Sequence, residues 1–116
     1  MPRRILIVDD EVAFGRTAAR ALGTEAETVL ELSATGALAR IRAGERFDRI
    51  LCDVTMPELT GPELFDAMIA LAPELREGFV FISGGMSAET EARVQATGRP
   101  CVSKPLRLSE LRDLAR

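Results

Sequence analysis

The stretch Arg49-Ile50-Leu51-Cys52-Asp53-Val54-Thr55-Met56-Pro57-Glu58-Leu59-Thr60-Gly61 decides the fold. Ile50, Leu51 and Cys52 form a short apolar run of the kind a parallel strand buries on both faces. The run stops at Asp53. Met56-Pro57 then rules out extension of a central strand, because proline has no amide to donate to the ladder. Thr60-Gly61-Pro62-Glu63 reads as a helix start: Thr60 suits the cap, Pro62 is tolerated in the first turn, and Glu63 completes a capping box. Asp53 is thereby predicted at the carboxyl end of a strand, facing a loop, at the edge where open α/β sheets bind their ligands. An isolated acid there is weak evidence of function, since most such residues are merely solvated.

Working outward from this unit, the same alternation repeats. Arg4 to Asp9 is a buried strand that ends in acid, Asp9-Asp10-Glu11. From Val12 the apolar spacing turns helical, with Phe14, Ala18, Ala21 and Leu22 on one side and Gly23 as the stop. Thr28 to Leu32 is a second strand, and Ser33 caps a helix carrying Ala37, Leu38 and Ile41 that closes at Gly44. The helix after Asp53 is expected over about Pro62 to Leu71, with Leu64, Met68 and Leu71 inward. Phe79 to Ile82 is a fourth strand ending in Ser83-Gly84-Gly85, followed by a polar helix over about Ser87 to Ala96. Cys101-Val102-Ser103 is a short fifth strand that ends at Lys104-Pro105, and Leu108, Leu111, Leu114 and Ala115 mark a last helix. Five strands alternating with five helices predict an α/β protein, a doubly wound five-stranded parallel sheet covered on both faces. Right-handed crossovers favour strand order 2-1-3-4-5, a flavodoxin-like three-layer sandwich.

Bulk properties narrow the classes. A chain of 116 residues, 47% apolar and 28% charged, fits one soluble domain with a core that needs no disulfide staples. A net charge of −3 without a run of like charges points to neither a nucleic-acid groove nor an anionic membrane. The apolar run Ile5 to Val8 behind Arg3-Arg4 is too short for export or for spanning a bilayer, so a cytoplasmic location is expected. Cys52 and Cys101 lie in apolar strand-like contexts and read as reduced core residues.

In a parallel sheet the strand ends share one edge, so Asp9, Asp10, Asp53, Ser83 and Lys104 converge there despite their separation in sequence. At an effective dielectric near 20, carboxylates about 4 Å apart repel by roughly 4 kcal/mol, so such a group needs a cation or raised pKa values. A hard, oxygen-seeking divalent ion suits it, and Mg²⁺ fits better than a soft metal. The chain has no histidine, which argues against zinc and excludes a histidine-based triad. Metal, carboxylate, lysine and hydroxyl together make a phosphoryl-transfer site in which an ionised aspartate can carry an acyl phosphate. Taken singly, each residue has a plainer reading. Asp9 and Asp10 could favour the start of the first helix through its dipole, Ser83 with its two glycines could be a turn, and Lys104 could be a surface lysine.

The full set resembles the receiver domain of two-component response regulators, including those of hybrid histidine kinases. Ile5-Leu-Ile-Val-Asp-Asp-Glu11, Leu51-Cys-Asp-Val-Thr-Met-Pro57 with Gly61, Ile82-Ser83-Gly84 and Lys104-Pro105 carry the resemblance, which covers essentially the whole chain. It implies a single receiver domain over residues 1–116 that is not an enzyme, promoting only its own phosphorylation and dephosphorylation. Asp53 would accept a phosphoryl group from a histidine kinase or a phosphotransfer protein. Asp10 and Asp53 would ligate Mg²⁺ with the backbone carbonyl of Thr55, and Asp9 would act mostly through water. Lys104 would pair with Asp53 before transfer and with the phosphoryl oxygens after it. Ser83 would move toward the new phosphoryl group and alter partner binding, and Lys104–Pro105 would be a cis peptide. Two departures from the family pattern stand out. Cys101 occupies the position where an aromatic ring usually turns inward with the switch. Thr55 and Gly85 occupy positions that help to set how long the acyl phosphate survives.

Other functions on the same sheet are less well served. A phosphatase of the haloacid dehalogenase type needs a second acid where Thr55 stands, and a flavin or nucleotide binder needs a phosphate-cradling loop where Asp9-Asp10-Glu11 would repel phosphate. A degenerate receiver that only docks would not need both Asp53 and Lys104. The same strand order puts the fourth strand between Cys52 and Cys101, too far apart for a disulfide.

Overall fold

The computed structural model describes residues 2–116. Five parallel strands, β1 (Arg3–Val8), β2 (Ala26–Glu31), β3 (Arg49–Asp53), β4 (Phe79–Ser83) and β5 (Cys101–Ser103), form one sheet in the order β2-β1-β3-β4-β5. The helices are α1 (Val12–Leu22), α2 (Ala34–Arg42), α3 (Gly61–Leu71), α4 (Ala88–Ala96) and α5 (Leu108–Ala115). The expected order and the five strand–helix units are those observed. Two short 3₁₀ turns, Gly23–Glu25 and Pro73–Gly78, add to the five helices.

The sheet is buried on both sides because its inner strands β1, β3 and β4 carry unbroken apolar runs, Ile5–Val8, Ile50–Cys52 and Phe79–Ile82. Alternate residues of one strand go to opposite faces, and this divides the core in two. Leu6, Val8, Ile50, Cys52, Phe79 and Phe81 meet Ala37, Ile41, Leu64, Phe65, Met68 and Val94 from α2, α3 and α4. Ile5, Ile7, Leu51, Val80 and Ile82 meet Ala18, Leu22, Leu111 and Ala115 from α1 and α5. Leu71 departs from expectation: it is 43% exposed. Phe65, which the spacing argument passed over, is the buried residue of α3 beside Leu64 and Met68. The inward stripe therefore runs through positions 61, 64, 65 and 68, and a step of three from Met68 lands on the outer face.

Local signals behave as their chemistry requires. Thr60 Oγ1 accepts from the Glu63 amide at 3.3 Å, and the Glu63 carboxylate accepts from the Thr60 amide at 3.0 Å. Gly23 ends α1 at φ +55°, a conformation that costs glycine little and other residues more. Ser33 Oγ accepts from the Gly36 amide at 3.1 Å and so satisfies one of the unpaired donors of α2. Ser33→Ala is expected to lower stability by about 1 kcal/mol, read as a lower urea midpoint at constant slope. An unchanged midpoint would mean that solvent serves that amide equally well.

Candidate functional site

Each strand ends at the same edge, and the polar residues collect there for that reason. β1 delivers Asp9 and Asp10, β3 delivers Asp53, β4 delivers Ser83, and Lys104 follows β5. The backbone locks these ends together. The amide of Val54 donates to Ile82 O at 2.9 Å, that of Lys104 to Ser83 O at 2.8 Å, and that of Asp9 to Glu31 O at 3.1 Å. Gly61 brings α3 onto the loop after Asp53: a Cβ there would lie 3.0 Å from Asp53 O and 3.1 Å from the Phe81 ring. A larger residue would require α3 or the backbone at the acidic strand end to give way.

Asp9 and Asp53 are buried, at 3% and 8% exposure, while Asp10 faces solvent. Each of the three offers a carboxylate oxygen, and these oxygens lie within 4.8 Å of one another. Burial is the largest influence on Asp53 and the charge of Asp9 the next. Against the opposing pull of Lys104 they push its pKa from 3.8 up to about 6, with a further upward push from Asp10 and a downward one from the Thr55 amide that bonds to it. Asp9 Oδ1 accepts from the Glu11 amide at 2.8 Å. Asp9 Oδ2 lies 2.8 Å from Lys104 Nζ, an ion-pair contact whose angles leave the oxygen without a well-formed hydrogen bond. A buried carboxylate oxygen with spare lone pairs, beside two further acids, is the donor set a hard divalent cation requires, so the residues fit Mg²⁺.

Lys104 does not pair with Asp53 as expected. Its ammonium lies against Asp9 and, at 3.7 Å, against Glu11. Burial works to lower the Lys104 pKa, but the contact with Asp9 and the fields of Asp53, Asp9 and Glu11 outweigh it, so the amine is held above its ordinary range. The cause is placement. Asp9 is the more buried carboxylate, and a cation gains most from the acid that water screens least. Ser83 is buried, and its hydroxyl accepts from the Gly85 amide at 3.0 Å, so it is turned into its own loop. Gly85 has φ +141°, which that loop needs and a side chain would resist. Thr55 is exposed. Lys104–Pro105 is cis.

The cysteines divide. Cys52 is fully buried, its thiol contacts Asp53 O at 3.2 Å, and burial followed by the charges of Asp53 and Asp9 raises its pKa well above normal. Cys101 is exposed, which corrects its reading as a core residue. It lies on an edge strand of three residues, where an apolar sequence context does not guarantee cover. Both are free thiols. Glu11 was missed as a partner of Lys104, although an acid directly after the Asp9-Asp10 pair and at the cap of α1 was the available signal.

A sequence model of the response regulator receiver domain matches residues 5–116. The chain belongs to that family. Among solved structures, a receiver domain protein (CheY-like) from Methanospirillum hungatei JF-1 is 28% identical, with a TM-score of 0.85 over 97% of this chain and 90% of that one. The chemotaxis protein CheY4 of Vibrio cholerae shares the fold at 24% identity and TM-score 0.84, over 97% and 95% of the two chains. So does a Burkholderia pseudomallei response regulator with a phosphorylated aspartic acid, a calcium ion and citrate, at 22% identity and TM-score 0.81, over 98% and 66%. No curated protein matches this chain significantly. The receiver domain is thus a phosphoacceptor signalling fold, and no helix among its described residues is long and apolar enough to cross a membrane.

Proposed function

We propose that this receiver domain is a phosphoaccepting switch of a cytoplasmic two-component system, with Asp53 the acceptor and a histidine kinase or phosphotransfer protein the donor. The observation that carries the reading is the convergence of Asp9, Asp10 and Asp53 on one strand-end edge, with their oxygens within 4.8 Å and Lys104 beside them. An ionised carboxylate oxygen of Asp53 attacks phosphorus, the bond from phosphorus to the donor nitrogen breaks with its electron pair left on that nitrogen, and an acyl phosphate results while the leaving imidazole takes a proton from water. Asp10, Asp53 and the Thr55 carbonyl, with Asp9 behind them, would hold Mg²⁺, which would neutralise charge on the equatorial phosphoryl oxygens. Lys104 adds a second positive charge to those oxygens after leaving Asp9. Ser83 exchanges its bond from the Gly85 amide for one to the phosphoryl group, which releases the loop that leads into α4. The phosphorylated aspartic acid of the Burkholderia pseudomallei relative supports this assignment by fold.

Intact mass after incubation with phosphoramidate tests the proposal. A gain of one phosphoryl group that requires Mg²⁺ and is lost in Asp53→Asn is the expected result. A parent protein that stays folded and gains no mass, and binds no beryllofluoride either, would overturn it in favour of a docking-only domain.

A further inference from the structure

Lys104 is enclosed on three sides by residues of the β1–α1 junction. Besides Asp9 and Glu11, the ammonium stands 4.6 Å over the centroid of the Phe14 ring. Phe14 is half-buried and packs against the core layer under α1 and α5, so the ring is fixed from behind. Glu11 is tied in by its amide, which donates to the same Asp9 carboxylate that Lys104 faces. Glu11 and Phe14 are three residues apart at the entrance of α1 and therefore share one helix face. A groove of about 530 Å³ opens over them, between Glu11, Phe14, Gly84, Lys104, Pro105 and Leu111, and leaves the long side chain room to move. A cation over an aromatic face is held by the quadrupole of the ring, and more firmly where water is excluded. Lys104 is 18% exposed.

We propose that Phe14 is a positioning residue of the phosphotransfer site: with Glu11 it holds the Lys104 ammonium over Asp9 and thereby sets how readily the lysine is delivered to a phosphoryl group on Asp53. The inference rests on the phosphoacceptor reading and adds a restraint to it. When the competent arrangement is only part of the population, apparent affinity for a phosphoryl mimic falls by that fraction, and loosening the cradle recovers it.

The test is titration with beryllofluoride in Mg²⁺, followed by amide NMR, together with the shift of the Lys104 ε protons, which an underlying ring moves upfield. Phe14→Leu keeps the apolar packing and removes the ring. It is expected to bind beryllofluoride about two- to tenfold more tightly and to lose the upfield shift. Phe14→Tyr, which retains the ring face, should restore both. Glu11→Gln, at an exposed side chain outside the core, should tighten binding about twofold and keeps the test open if Phe14→Leu folds poorly. Unchanged or weaker binding in Phe14→Leu and Glu11→Gln, with the parent binding normally, would overturn the cradle and leave the phosphoacceptor reading standing. A parent that binds no beryllofluoride would instead sink that reading. The ε-proton shift then decides the cradle alone: present in the parent and lost in Phe14→Leu supports it, absent in the parent overturns it.

Discussion

Replacing Asp53 by asparagine is expected to raise the thermal unfolding midpoint of the metal-free protein at neutral pH. The carboxyl of Asp53 has its pKa pushed from 3.8 up to about 6 by burial and by Asp9. The folded protein therefore holds this proton more tightly than the unfolded chain does. Its contribution to stability is complete below the ordinary carboxylate pKa and disappears as pH climbs through about 6. At neutral pH the parent carries the ionised, repelled carboxylate and the variant does not. At 1.36 kcal/mol per pKa unit the difference is about 2–3 kcal/mol, or about 8–12 °C for a domain of this size. The gap should shrink to a small fraction of this near pH 4, where Asp53 is protonated in the fold but only partly so in the unfolded chain, and close below the ordinary carboxylate pKa of 3.8. It should also narrow on addition of Mg²⁺, whose binding to the folded parent would add about 2.7 kcal/mol at a hundredfold excess over its dissociation constant. Thermal scans of both proteins in chelator at the two pH values check this. A gap that is the same at both would mean that neither burial nor Asp9 raises the Asp53 pKa in the fold.

The second large effect lies in the core. Phe65 is 1% exposed and meets the Phe79 ring edge-on at 5.0 Å, with Phe81 at 5.9 Å and the Arg76 guanidinium 5.3 Å over its face. Phe65→Ala is expected to cost about 3–5 kcal/mol, the upper part of that range because two aromatic contacts and a cation contact vanish with the ring. The urea midpoint should fall with the slope unchanged. A loss under about 1.5 kcal/mol would mean that α3 settles into the space and that the three rings do not fix it to the sheet. The position bears on the site, since α3 begins at Gly61, against the backbone of Asp53 and Val54.

Much of this was legible in the sequence because the signals are local and redundant. Apolar runs that end in Asp9, Asp53 and Ser83 give the strands, the caps at Ser33 and Thr60 give helix starts, and parallel topology brings the strand ends together. Partner choice was not legible. Asp53 was the expected partner of Lys104, but Asp9 is the more deeply buried acid, and burial depth is a property of the assembled fold. Cys101 and Leu71 failed for a related reason. Hydropathy reports what a residue prefers, whereas an edge strand or the end of a helix stripe decides what it receives. Phe14 looked like one more core residue of α1, and only the path of Lys104 across the sheet edge shows what its ring faces.

β5 is three residues long, with Cys101 and Ser103 exposed and Val102 half-buried, while every residue of β4 beside it is buried. Free energies of local opening follow burial and hydrogen bonding, so the sheet carries a gradient from stiff inner strands to a soft rim. The backbone of Lys104 sits on that rim, while its amide bond to Ser83 O and its ammonium contact with Asp9 reach the stiff part. On the phosphoacceptor proposal, the domain thus pairs a stiff Asp53 with a compliant Lys104. An event at Asp53 need not displace the frame to be felt outside: tightening or releasing the rim changes how much disorder a partner must remove when it binds there, and the message is then carried by entropy as much as by shape.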